Sequence, residues 1–178
     1  MLKKDNRSKI LEMFFDNPLP TGGFQLREIS RKTNIAPKSV KNYLIELEKE
    51  KLIITKVHRI HDYPLYYANR DNENFKLLKK LNNILNINQS GLVDYLYDTC
   101  MPEAIILFGS ASKGEDIQES DIDLFILSKE INLDLSKYEK RLNRKINIFF
   151  QNNFGKLSKE FKNSLINGII LRGYLKIY

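Results

Sequence analysis

Apolar residues follow two patterns along the 178-residue chain. Over the first 70 positions they recur at helical spacing, punctuated by Pro and Gly; later they also gather into short unbroken runs. Ile10, Leu11, Phe14 and Phe15 stripe a first helix, which Asn17-Pro18 and the turn Pro20-Thr21-Gly22-Gly23 terminate. Leu26, Ile29 and Ser30 lie on a short second helix, closed by a tight turn at Thr33-Asn34. Pro37 suits the first turn of a third helix, where its missing N–H costs nothing. Val40, Leu44 and Leu47, spaced i, i+4 and i+7, turn inward with Tyr43 and leave Lys38, Ser39, Lys41 and Asn42 outward near the helix start. Residues 52–59 and 63–68, joined by Ile60-His61-Asp62, read as a β-hairpin.

Residues 71–100 predict two helices. Phe75, Leu78, Leu81 and Leu85 recur along the first, with Asp71-Asn72 available to cap it and the Asn-rich NNILNINQ marking its end. Leu92, Tyr95 and Leu96 share one side of the second, over 91–99. Packing on a sheet and packing on a second copy of the chain are both open for this pair. Two apolar runs, at 105–108 and 124–127, are bounded by Gly, Ser and acidic residues and read as buried strands. The ASKGEDIQES between them reads as a loop, or a short helix and a loop. Residues 134–145 predict a helix with Leu135, Tyr138 and Leu142 inward and Lys140, Arg141, Arg144 and Lys145 as a basic cluster, either solvated or binding phosphate. Residues 146–150 read as a third strand, 156–167 as a helix closed by Gly168, and 169–178 as a terminal strand. The fold class is α+β, with domains at 1–70 and 101–178 and connecting helices at 71–100. There is no internal repeat and no long linker.

Composition narrows the partners. The hydrophobic share of 42% suffices for a packed core, and the apolar stretches fall short of the roughly 20 residues of a membrane span. The basic N-terminus lacks the apolar segment of a signal peptide, so a cytoplasmic protein without a membrane partner is expected. Cys100 is the single cysteine, which excludes an internal disulfide and reads as a buried structural thiol. The net charge of +7 is uneven: residues 1–70 hold 14 Lys/Arg against 8 Asp/Glu, whereas residues 71–178 hold 15 against 14. A polyanion partner is therefore expected for the first part alone. His58 and His61, with no cysteine near them, do not suggest zinc.

The chemistry concentrates between the first two strands of the later region. Asp121 and Asp123 alternate along a strand and share a face, with Cβ atoms roughly 6 to 7 Å apart. Two such charges call for a cation, and a hard dication such as Mg²⁺ takes oxygen ligands and substrate phosphates together. Gly109 permits close backbone approach, and Ser110 adds a hydroxyl where backbone N–H groups could hold a phosphate. These parts suit metal-assisted phosphoryl or nucleotidyl transfer.

Gly109-Ser110, ten intervening residues and then Asp121-Ile122-Asp123, with an apolar strand ahead, Gly114-Glu115 in the loop and Ser120 before the first Asp, resemble the polymerase-β-like nucleotidyltransferases. The closest likeness is to the minimal nucleotidyltransferases. That resemblance implies a small mixed sheet flanked by helices, Asp121 and Asp123 as catalytic and metal-binding residues, Gly109 and Ser110 on the nucleotide, and Mg²⁺ with a nucleoside triphosphate, ATP being preferred. It also implies a third carboxylate on the next strand. Alignment of KINIFF places Asn147 there, an amide that carries no charge and is no general base.

LREISRKTNIAPKSVKNYLIELEKEKLI, followed by the hairpin, resembles the winged-helix transcription regulators over residues 5–69. The implied contacts with duplex DNA are Lys38, Ser39, Lys41 and Asn42 on a recognition helix and Arg59 on the wing. Three functions follow as expectations. They are a DNA-binding nucleotidyltransferase acting on a protein or small-molecule hydroxyl, a regulator whose inactive transferase fold senses nucleotide, and an antitoxin-like protein docking or modifying a toxin. A homodimer would match a symmetric DNA site.

Overall fold

Asp5 opens the described chain by accepting the Ser8 N–H at 2.7 Å, capping α1 (Asn6–Asp16). The computed structural model describes residues 5–176; residues 1–4, which the signal-peptide reading includes, and 177–178, the tip of the expected terminal strand, lie outside the described residues. The chain divides into two units, Met1–Lys76 and Leu77–Tyr178.

In the first unit α1 buries Ile10, Leu11, Phe14 and Phe15, and the Phe14 ring meets Phe24 edge-on at 5.3 Å. Helix α2 (Leu26–Thr33) buries Ile29 and stops at Asn34, whose φ of 56° is a conformation that asparagine tolerates. Helix α3 (Pro37–Lys49) starts on Pro37 and buries Val40, Leu44 and Leu47, as the spacing predicts. Strands β1 (Ile53–Val57) and β2 (Pro64–Ala68) pair antiparallel, Ile53 opposite Ala68. Phe24 bridges to Tyr66 as a short third edge.

Helix α4 (Glu73–Gln89) crosses the boundary between the units. Asn72 caps it, its Oδ1 accepting the Phe75 N–H at 3.0 Å. The helix continues through the Asn-rich run and ends at Gln89. Asparagine is tolerated there partly because its side chains are engaged: Asn88 donates to the Ile84 carbonyl and Asn83 to the Ala111 carbonyl. Phe75 is buried, whereas Leu81 and Leu85 are exposed. Steps of three residues drift by about 60° around a helix, so these positions do not form one face.

The second unit then runs α5 (Leu92–Cys100), β3 (Ala104–Phe108), α6 (Gly109–Lys113), β4 (Ile122–Ile126), α7 (Ser136–Leu142), β5 (Ile146–Phe150), a 3₁₀ turn (Phe154–Lys156), α8 (Lys159–Ile166) and β6 (Ile169–Gly173). The sheet order is β5-β4-β3-β6; β4 and β5 are parallel and the other pairs antiparallel, so the sheet is mixed. One face packs Ile105, Leu107, Leu124 and Ile126 with Ile87, Leu92 and Leu96 from α4 and α5. The other packs Ile106, Phe108 and Phe125 with Phe161 and Leu165 from α8. Cys100 is buried, and burial pushes its thiol up from the usual range. Among the described residues, no helix is long and apolar enough to cross a membrane.

Two expected helices are shorter than the sequence suggests. Asn143, at φ 51°, ends α7, so Arg144 and Lys145 lie beyond the helix rather than on it. Residues 156–158 close the 3₁₀ turn and cap α8, with the Ser158 hydroxyl accepting the Phe161 N–H.

Candidate functional site

Phe108 pairs with Asp123 across the antiparallel strands, so the turn that starts at Gly109 begins beside the Asp123 carboxylate. Gly109 adopts φ +70°, and a Cβ there would lie 2.5 Å from Asp123 Oδ2. Both backbone conformation and space therefore demand glycine at this position. Ser110 follows in the first turn of α6, half-buried, and the Ser112 hydroxyl donates to the Gly109 carbonyl at 2.8 Å.

Asp123 shares its sheet face with Phe125, on the α8 side, and Asp121 precedes β4 by one residue. Strand β5 sets Asn147 level with Asp123. The Asn147 amide donates through Nδ2 to Asp121 Oδ2 at 3.0 Å and to Asp123 Oδ1 at 3.1 Å. The two aspartates thus converge on one point, and the third position of the constellation carries an amide.

The donor set suits a hard dication. Two carboxylates supply two negative charges, and a half-turn of the amide would present an oxygen in place of the nitrogen. The Asp123 carboxylate lies against the Gly109 backbone, in the space that a Cβ would need. Among the described residues, no group of three or more His, Cys, Asp or Glu side chains is placed to hold a metal.

A second constellation fixes the loop that carries Asp121. Asp116 is 4% exposed and pairs with Arg144 at 3.0 Å and with Lys79 at 3.5 Å, while its Oδ1 accepts from Asn83 at 2.8 Å. Lys79, equally buried, also donates to the Asp116 carbonyl. Arg144 extends the clamp, with Nε donating to the Ser120 carbonyl at 2.7 Å and Nη2 to the Asp121 carbonyl at 3.1 Å. One guanidinium therefore holds the peptide carbonyls on either side of Asp121, a fork that only arginine offers. The expected solvated or phosphate-binding basic cluster is corrected here for Arg144, which faces inward, whereas Arg141 is exposed on α7 and donates to the Ser90 carbonyl. Lys140, Asn143 and Lys145 remain on an open groove of about 490 Å³ with Ser136, Glu139 and Arg144.

In the first unit Lys38, Lys41 and Asn42 are exposed on the first turns of α3, Ser39 is half-buried, and Arg59 is exposed at the hairpin tip. The tip is ordered by stacking: His58 lies 4.6 Å from Tyr63 and 5.2 Å from His61, and His58 Nδ1 accepts the backbone N–H groups of Ile60 and His61.

No curated protein matches the chain. Residues 90–173, which contain the whole four-stranded sheet, the Gly109 turn, both aspartates and Asn147, match the family model described as Polymerase beta, Nucleotidyltransferase, and this supports a nucleotidyltransferase domain over that span.

Proposed function

We propose that the second unit binds a nucleoside triphosphate with Mg²⁺, ATP being preferred, and transfers its nucleotidyl group to a hydroxyl of a protein or small molecule, with pyrophosphate leaving. The observation that carries this reading is the convergence of Asp121 and Asp123 beside the Gly109 turn. Asp121 and Asp123 would hold the cation, with Asn147 as a neutral neighbour. Bound Mg²⁺ would neutralise phosphate charge and polarise the phosphorus–oxygen bond under attack. The missing side chain at Gly109 lets the Asp123 carboxylate sit against the turn, and Ser110 offers a donor to phosphate. Arg144 holds the Asp121 peptide in place, so catalysis rests on positioning and charge rather than on a mobile side chain. With an amide at position 147, the acceptor proton would pass to one of the two aspartates or to solvent.

That amide also favours a second reading, in which the site binds nucleotide without chemistry and reports it to the DNA-binding unit. Incubation with each α-labelled nucleoside triphosphate, Mg²⁺ and a cell extract separates the two. Transfer predicts a labelled acceptor that is absent with Asp121→Ala, Asp123→Ala protein; label in neither sample despite nucleotide binding selects the sensor.

The first unit we read as a winged helix that contacts duplex DNA through Lys38, Ser39, Lys41 and Asn42 on α3 and Arg59 on the β1–β2 wing. The basic excess of residues 1–70 supports this. In gel-shift titrations binding should weaken steeply with salt, and Lys38→Ala, Lys41→Ala should flatten the salt slope by about one for each phosphate that the variant no longer neutralises. No binding at low salt, or an unchanged slope, would remove this half of the reading.

A further inference from the structure

Helix α4 presents a face that the nucleotide site does not use. Leu77, Leu81 and Leu85 are 51%, 46% and 50% exposed, and they follow one another at intervals of four residues. Such residues form a single ridge on a helix, the row that interlocks with an equivalent row in the commonest mode of helix packing. Asn74 and Asn88 are exposed at the two ends of this face. The face therefore reads Asn, Leu, Leu, Leu, Asn, without a charged residue in the row.

The order of residues says what covers it. About Leu81 the row is mirror-symmetric: Asn74 answers Asn88 and Leu77 answers Leu85, while the half-buried Leu78 beside the row answers Ile84. An antiparallel copy of the same helix, crossing at Leu81, sets apolar against apolar and amide against amide at every level. It brings no like charges together within the row, and it opposes the two helix dipoles. Self-matching of one patch under a two-fold axis is the requirement for a closed pair of identical chains. A different protein would need no such symmetry in this row.

We propose that two copies of the chain associate through α4, antiparallel, about a two-fold axis at Leu81. The face is small beside the usual interfaces of stable complexes, so the pair forms and dissociates reversibly, with a dissociation constant on the order of micromolar.

Sedimentation equilibrium or light scattering on the full chain, over concentrations on the order of 1 to 100 µM, provides the first test. The mass should rise from that of one chain, 20.9 kDa, toward twice that value. Leu81→Glu sets two carboxylates against each other at the axis and should remain a single chain throughout, with an unchanged circular dichroism spectrum. The second test uses a Cys100→Ala background, in which Leu77→Cys and Leu85→Cys proteins are treated with a short bis-maleimide. A mixture of the two should cross-link several-fold more than either alone. The proposal is overturned if the wild type stays a single chain over the whole range, or if Leu81→Glu still pairs. It is also overturned if each cysteine protein links to itself as well as the mixture does.

Discussion

Asn147 governs the balance at the carboxylate pair, because its single amide nitrogen satisfies an oxygen on each of Asp121 and Asp123. Asn147→Asp removes both donors and adds a third like charge at the same level of the sheet. In EDTA the variant should lose about 1 kcal/mol of stability, seen as a lower melting temperature. Mg²⁺ should restore that loss and raise nucleotidyl transfer above the wild-type rate; equal melting temperatures with and without Mg²⁺ would contradict this account. That Gly109 and Ser110 open a turn after a strand, and that Asp121 and Asp123 share a face, was legible in the sequence because residue type and spacing carried the information. A strand's alternation sets two aspartates on one face without reference to anything distant. That Asn147 lies level with Asp123 rests on strand pairing, which the sequence offered only through resemblance.

At the scale of elements, the loop between α6 and β4 is held from outside itself. Arg144 reaches Asp116 across 28 residues, and Lys79 reaches it across 37. Pairings at such separation leave no periodic trace in the chain, so a basic run after 134 was legible but its inward member was not. The short α7 ends at a left-handed Asn143, immediately before Arg144 reaches the loop. Arg144→Ala should destabilise the protein by about 3 kcal/mol, because it strips a buried carboxylate of one partner and frees two carbonyls. Urea unfolding measures this directly, and a change under about 0.5 kcal/mol, the range of an ordinary surface substitution, would contradict the clamp. Arg144→Lys should recover only part of the loss, since an ammonium cannot span both carbonyls and Asp116. The remaining elements were legible to within a few residues wherever their apolar positions face a core, as with Val40, Leu44 and Leu47 of α3 and the unbroken run of β3. Helix α4 was legible as a helix but not in its facing, since Phe75 turns inward while the leucines after it turn out.

For the whole molecule, charge and chemistry divide between the two units. The basic excess belongs to residues 1–70 and the converging aspartates to the second unit, so the proposed polyanion binding and the proposed nucleotide binding would fall on separate parts of one chain. That division was legible from composition alone, whereas the continuity of α4 across the boundary required the structure. The proposed pairing through α4 would bring two copies of each unit into one assembly. All of this depends on the second unit holding a nucleotide at the aspartate pair. Isothermal titration calorimetry of the full chain with ATP and Mg²⁺, run in parallel on the wild type and on Asp121→Ala, Asp123→Ala protein of unchanged fold, tests that directly. The wild type should bind one nucleotide per chain and the double variant none; equal binding by both proteins, or binding by neither, would contradict the account.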